Sequence, residues 1–179
     1  MNDHESNTNS LVMTSLIICI ILIGTILFRI PVPMTQGYVH LGDAMIYMGV
    51  FVLGKRKGAL AAGLGSALAD ILGGYAVWAP WSLVIKALMA FAAGMFLHIC
   101  LKHKSKFTLP ILVAGMVVGG MIMTSGYLLA EYVMYGNMGT ALLGVPWNIG
   151  QFVVGIIISL SLSSVLQLTS LQRFLKWRV

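Results

Sequence analysis

The stretch IYMGVFVLGKRKGALAAGLGSALADILGG, Ile46 to Gly74, decides the fold. By apolar length alone it is one long run. The basic residues Lys55-Arg56-Lys57, set between Gly54 and Gly58, cut it in two. Each half, 39–54 and 57–73, is short beside the roughly 17–25 residues of a bilayer-spanning helix. The two halves count as spans because the rest of the chain then closes without a violation. Further apolar segments run over 11–28, 80–101, 107–132 and 146–171. With six spans, Lys55–Lys57, the Lys102 to Lys106 group and the tail Arg173 to Arg178 all fall on one side. Short basic groups between apolar runs mark the cytoplasm. The expected fold class is therefore all-α: a polytopic membrane protein with a bundle of six transmembrane helices and both termini cytoplasmic. Residues 1–179 form one domain, with 1–10 expected as a disordered cytoplasmic tail.

Composition agrees. Of the 179 residues, 59% are hydrophobic and 9% charged, against roughly 25% charged in a soluble domain. The net charge of +6 does not point to nucleic acid, because the basic residues sit in those short groups rather than on one face. Continuous apolar runs exclude a β-barrel, which would alternate. Cys19 and Cys100 show no CxxC or Cys/His spacing, so neither a disulfide nor a metal site is expected. MNDHESNTNS has two acids and no basic n-region, so the first run reads as a retained helix. Small residues recur at helical spacing in Gly58/Ala62/Ser66, Ala59/Gly63/Ala67 and Gly115/Gly119, which allows helices to approach closely.

The outer loops are then 29–38, 74–79 and 133–145. Against this frame the charges fall at one depth. Asp43 opens the second span and Asp70 ends the third. Lys86 lies six residues past Pro80, about 9 Å into the fourth span. Glu131 closes the fifth span, while Asn148 and Gln151 open the sixth. Each lies on the small or polar side of its helix, and a charge inside a span marks a pocket or pathway by default. The rings of Tyr38, Tyr75, Trp78, Trp81, Tyr127, Tyr132, Tyr135 and Trp147 gather at the same level, whereas the inner side has only Trp177. An interfacial belt would show rings on both sides. The pattern reads as an outward-facing pocket, apolar with a few placed polar groups. Plainer roles stay open for single members: an Asp70–Lys86 structural ion pair, Asp43 as a helix cap, Glu131 solvated at a helix end, and Trp78 and Trp81 as interface anchors.

The segment Arg29 to Gly94 carries four elements in order: R-I-P-x-P, G-Y-x-x-L-G-D, A-D-x-x-G-G-Y and W-A-P-x-x-x-x-I-K. Together they resemble the substrate-binding membrane subunits, or S components, of energy-coupling factor (ECF) vitamin transporters, in the hydroxymethylpyrimidine/pyridoxine-like branch. The resemblance is strongest over the first four spans. It implies a high-affinity binding subunit of an ABC-type importer for a small water-soluble vitamin or precursor, hydroxymethylpyrimidine or pyridoxine first, then riboflavin or another B vitamin. It implies a pocket near the outer surface, here drawn from Asp43, Asp70, Tyr75, Trp78, Trp81, Lys86, Tyr127, Glu131, Asn148 and Gln151. The first outer loop, with Gln36, Tyr38 and His40, is implied to be its lid. Implied partners are a transmembrane scaffold (T) subunit and two cytoplasmic ABC ATPases, in a bacterial plasma membrane. No GxxxxGK[ST] loop is present, so the chain is expected to be no enzyme and to bind no cofactor, ATP being used by those partners. The family's Ala-xxx-Ala docking stripe on the first helix has only Ser15-xxx-Cys19 as a counterpart. A self-sufficient secondary transporter is the alternative, but no inverted repeat is visible and the charges avoid the midplane. An intramembrane enzyme lacks any supporting Ser/His or metal motif.

Overall fold

The computed structural model describes residues 3–31, 38–103, 108–169 and 175. Six helices account for nearly all of them. They are α1 (Asp3–Leu27), α2 (Gly42–Leu53), α3 (Lys55–Leu72), α4 (Ala79–His103), α5 (Thr108–Tyr135) and α6 (Met138–Gln167). A 3-10 turn, Ala76–Trp78, leads into α4. A small antiparallel hairpin joins α1 to α2: β1 (Arg29–Pro31) pairs with β2 (Tyr38–His40), Arg29 opposite His40. Helices α1, α3, α4, α5 and α6 follow one another around the outside, and α2 packs against α1, α3, α4 and α6 from within. Tyr47 of α2 also reaches α5, donating to the Met116 carbonyl at 2.8 Å.

The cut in the Ile46–Gly74 run falls where the sequence put it, but glycine makes it. Gly54 has φ 77° and ψ −174°, a conformation open essentially to glycine alone. Its N–H closes α2 on the Val50 carbonyl, and its own carbonyl accepts from Gly58 to open α3. Lys55–Lys57 form the first turn of α3 instead of a loop between helices. At 12 residues α2 is about 18 Å long, well short of the ~30 Å hydrocarbon core. Ten of those residues are buried, so α2 is coated by protein rather than lipid. The four long apolar helices lie around it: Thr8–Leu27, Ala76–Lys102, Thr108–Tyr135 and Met138–Gln167. Their outward faces carry Leu16, Leu88, Val118 and Ile157, exposed as lipid contact requires.

The small-residue stripes do pack helix on helix. A Cβ on Gly63 would lie 2.7 Å from the Leu83 carbonyl of α4, and one on Gly119 would lie 2.7 Å from that of Met89. At the end opposite the hairpin, Lys57 hydrogen-bonds Ser10, so the starts of α1 and α3 meet there. A cleft of about 370 Å³ opens at this end, walled by Leu53–Lys57 and by Gly94, Leu97, His98 and Leu101 of α4.

Three expectations need correction. Helix α1 starts at Asp3, where an unstructured tail had been expected. The all-α reading misses the β1–β2 hairpin, whose three-residue strands carry no periodicity to detect. The expected outer loop 133–145 shrinks to Gly136 and Asn137, because α6 begins at Met138 instead of 146. Asn137 caps it, accepting from the Thr140 N–H at 3.2 Å. Pro146, expected at the start of the sixth span, sits inside α6 instead, where a missing N–H is tolerated more readily in a membrane helix than in a soluble one.

Candidate ligand-binding site

Where the helix ends meet the hairpin, the polar residues form two layers. The deeper one is centred on Asp43 and Lys86, both fully buried and 2.5 Å apart. Asp43 opens α2 and so faces several helices at once. Its Oδ1 takes the Lys86 ammonium from α4, and its Oδ2 accepts from the Gln151 side-chain amide of α6 at 2.9 Å. Gln151 Oε1 in turn accepts the His40 main-chain N–H at 2.9 Å, which ties β2 to the network. The ammonium also contacts Met123 Sδ at 2.9 Å and lies 5.4 Å from the Tyr127 ring centroid. A buried ion pair persists only when its remaining hydrogen-bonding capacity is met. Here α5 and α6 meet it, through Met123, Tyr127 and Gln151, and β2 braces Gln151 in turn.

The second layer is a hollow between this network and the outside. Tyr38 and His40 close it from the hairpin, Asp70 from α3, and Trp78 and Ser82 from the turn and α4. Tyr127 and Glu131 of α5 and Gly144, Asn148 and Gln151 of α6 complete the wall. The hollow holds about 450 Å³ of atom-free space counting its mouth. It is pinched, however, and only about 30 Å³ can take the centre of a water molecule. Tyr38 donates its hydroxyl to Asp70 Oδ1, and Ser82 and Tyr127 share a hydrogen bond of 2.9 Å. The Trp78 and Tyr127 rings stand 6.1 Å apart and tilted. Burial and the neighbouring Asp70 carboxylate push the Tyr38 phenol well above its ordinary range, so it stays a donor. Burial, seconded by the Lys86 charge, pulls the His40 imidazole down to about 3. Its Nδ1 accepts the Gly42 N–H at 3.0 Å, which leaves Nε2 as the N–H of a neutral ring.

Two carboxylate oxygens on this wall are unmatched. Asp70 Oδ2 and Glu131 Oε2 are buried without a hydrogen-bond partner among the described residues. Glu131 fits because α6 presents Gly144 to it: a Cβ there would lie 2.5 Å from Oε2. Arg29, at the root of the hairpin, is not a hydrogen-bond donor to either oxygen. Its guanidinium donates to the carbonyls of Gly73 at 3.1 Å and Ala69 at 2.9 Å, and covers the Tyr38 ring at 4.8 Å.

The structure brings some of the residues named from the sequence together and sets others apart. Asp70, Trp78, Tyr127, Glu131, Asn148 and Gln151 line one hollow, joined by Tyr38 and His40 of the expected lid. Asp43 and Lys86 lie behind it and pair with each other, so the Asp70–Lys86 pair considered from the sequence does not form. Tyr75 backs Tyr38 at 4.5 Å between ring centroids, and Trp81 packs against the core, each outside the lining. Tyr132 and Trp147, two further rings at this level, are 44% and 41% exposed and face outward. Gln36 lies outside the described residues. Ser82, Gly144 and Arg29 were not anticipated. For Ser82 a signal existed, since it sits one helical turn before Lys86 on the same face.

Three comparisons bear on this arrangement. The family model of the ECF-type riboflavin transporter S component matches residues 5–168. An uncharacterised protein of Pyrococcus woesei is 38% identical over 147 residues, 82% of this chain and 94% of its own. The thiamine precursor transporter HmpT of Lactococcus lactis subsp. cremoris is 32% identical over 146 residues, 81% of this chain and 80% of its own. In fold, the solved S component of a bacterial ECF transporter superposes with a TM-score of 0.71 at 19% identity, over 90% of this chain and 98% of that one. The chain therefore belongs to the S components of ECF transporters, multi-pass membrane proteins of transport rather than enzymes.

Proposed function

We propose that this chain is the high-affinity binding subunit of an ECF importer for a small, water-soluble heteroaromatic vitamin precursor, with hydroxymethylpyrimidine the first candidate. The carrying observation is the hollow itself. Trp78, Tyr127 and Tyr38 supply ring faces for a flat ligand, while Asp70, Glu131, Asn148, Gln151 and His40 supply hydrogen-bonding groups at its edge. The name of the Lactococcus relative, a thiamine precursor transporter, supports the choice. Pyridoxine fits the same description and comes second. Riboflavin, named by the matching family model, is the larger alternative.

Binding requires movement, because a pinched hollow cannot admit a ring. The β1–β2 hairpin is the natural lid: it is held by the Tyr38–Asp70 bond, the His40–Gln151 bond and the Arg29 contacts, all polar and all reversible. The basic groups at the end opposite the hairpin support six membrane crossings with both termini in the cytoplasm. The protein would then present its hollow to the outside and depend on a T subunit and two ABC ATPases for release inward.

Mass spectrometry of small molecules retained by the purified protein, followed by calorimetric titration, tests the substrate. Hydroxymethylpyrimidine should titrate with a submicromolar Kd, and failure to bind it would remove it as the substrate. Uptake by proteoliposomes holding this chain alone would favour a self-sufficient transporter instead.

A further inference from the structure

Asp70 and Glu131 are unusual in what they lack. They reach the hollow from α3 and from α5, with α4 packed between those helices. Both side chains are more than nine-tenths buried. Each keeps one oxygen, Oδ2 and Oε2, without a hydrogen-bond donor among the described residues. A buried acceptor left in this state is costly, more so if ionised. Among the described residues, the wall also contains no lysine or arginine. Lys86 is engaged by Asp43 behind it, and Arg29 is engaged by main-chain carbonyls. The described side chains that face a ligand therefore include two strong acceptors and no cation.

We propose that Asp70 and Glu131 form a two-carboxylate clamp that selects by charge: it takes a neutral or cationic heteroaromatic ligand bearing N–H or O–H donors and rejects phosphate esters of the same ring. This inference rests on the hollow being the substrate site, but not on which vitamin fills it. Amino or hydroxymethyl groups on the ring edge supply the donors that Oδ2 and Oε2 lack. A phosphate ester brings up to two negative charges and only acceptors on its dianion, and it meets carboxylates in a water-poor site where repulsion is weakly screened. Gly144 belongs to the device, because the room for the Glu131 carboxylate is the room a Cβ would take.

The test is calorimetric titration of the purified full chain with three compounds and their phosphate esters: hydroxymethylpyrimidine, pyridoxine and riboflavin. Whichever parent compound binds should do so at least 100-fold more tightly than its ester. Asp70→Asn and Glu131→Gln should each weaken the parent at least tenfold and narrow the gap to the ester. Binding of pyridoxine or riboflavin but not hydroxymethylpyrimidine would change the substrate named above, while the ratio to the ester still judges the clamp. An ester bound within threefold of its parent overturns the clamp, and so do variants that keep the parent's affinity. The unfolding temperature of the ligand-free protein gives a reading that needs no ligand. Carboxylates kept for a ligand should leave Asp70→Asn and Glu131→Gln as stable as the original or more so. A fall of 5 °C or more in both would mean that they serve the fold, and the clamp would be refuted.

Discussion

Lys86 illustrates what residue spacing conveys and what it does not. Its position in the fourth span shows that a partner must exist, since an unpaired ammonium there is costly. The choice between Asp70 and Asp43 depends on how α2 threads between α3, α4 and α6, and no spacing rule contains that. Because Lys86 is fully buried on Asp43, Lys86→Met leaves a stranded carboxylate and should cost about 3–5 kcal/mol. The double variant Asp43→Leu/Lys86→Met should recover most of the loss, as read by denaturant unfolding in detergent. His40 supports a second prediction at this scale. Its folded-state value of about 3 lies below the ordinary 6.5, so the unfolded chain takes up a proton first as pH falls. Stability from His40 is complete above pH 6.5 and is lost between 6.5 and 3, by up to about 1.4 kcal/mol per pH unit. Unfolding measured against pH should show a shallower acid limb in His40→Gln.

Among the elements, the long apolar helices were plain in the sequence, and their ends were not. Helix α6 runs eight residues past its expected start because Asn137 supplies a cap, while Pro146 and the glycines around it imitate a loop. The hairpin escaped notice because three residues per strand are too few to alternate visibly. The break between α2 and α3 was found through its lysines, but it depends on the backbone of Gly54. Gly54→Ala should therefore destabilise by about 1–3 kcal/mol through backbone strain alone, with Lys55–Lys57 untouched. Thermal unfolding of that variant beside a Lys55→Ala control, expected near neutral, separates the two causes. Gly144→Ala should behave differently: little stability lost, but ligand affinity reduced at least tenfold as the new methyl displaces Glu131.

Over the whole molecule, the convergence of polar side chains at one end was legible because lipid penalises charge so heavily that its depth is informative. The division into a structural layer and a ligand-facing layer was not, because both lie at nearly the same depth and differ only in which helix stands in front. Orientation gives a prediction at this scale. In a cysteine-free background, Met138→Cys, exposed beside the hairpin end, should react with a membrane-impermeant maleimide on intact cells. Arg56→Cys at the opposite end should react only after lysis. The reverse result would invert the topology. The short central helix carries one more consequence. A recess lies near each end of α2, the hollow on one side and the basic cleft on the other. Where water enters both, the insulating plug is about 18 Å thick, against the ~30 Å of the surrounding lipid. The voltage gradient of an energised cell is then steepest through the protein's own axis, where the Asp43–Lys86 dipole lies.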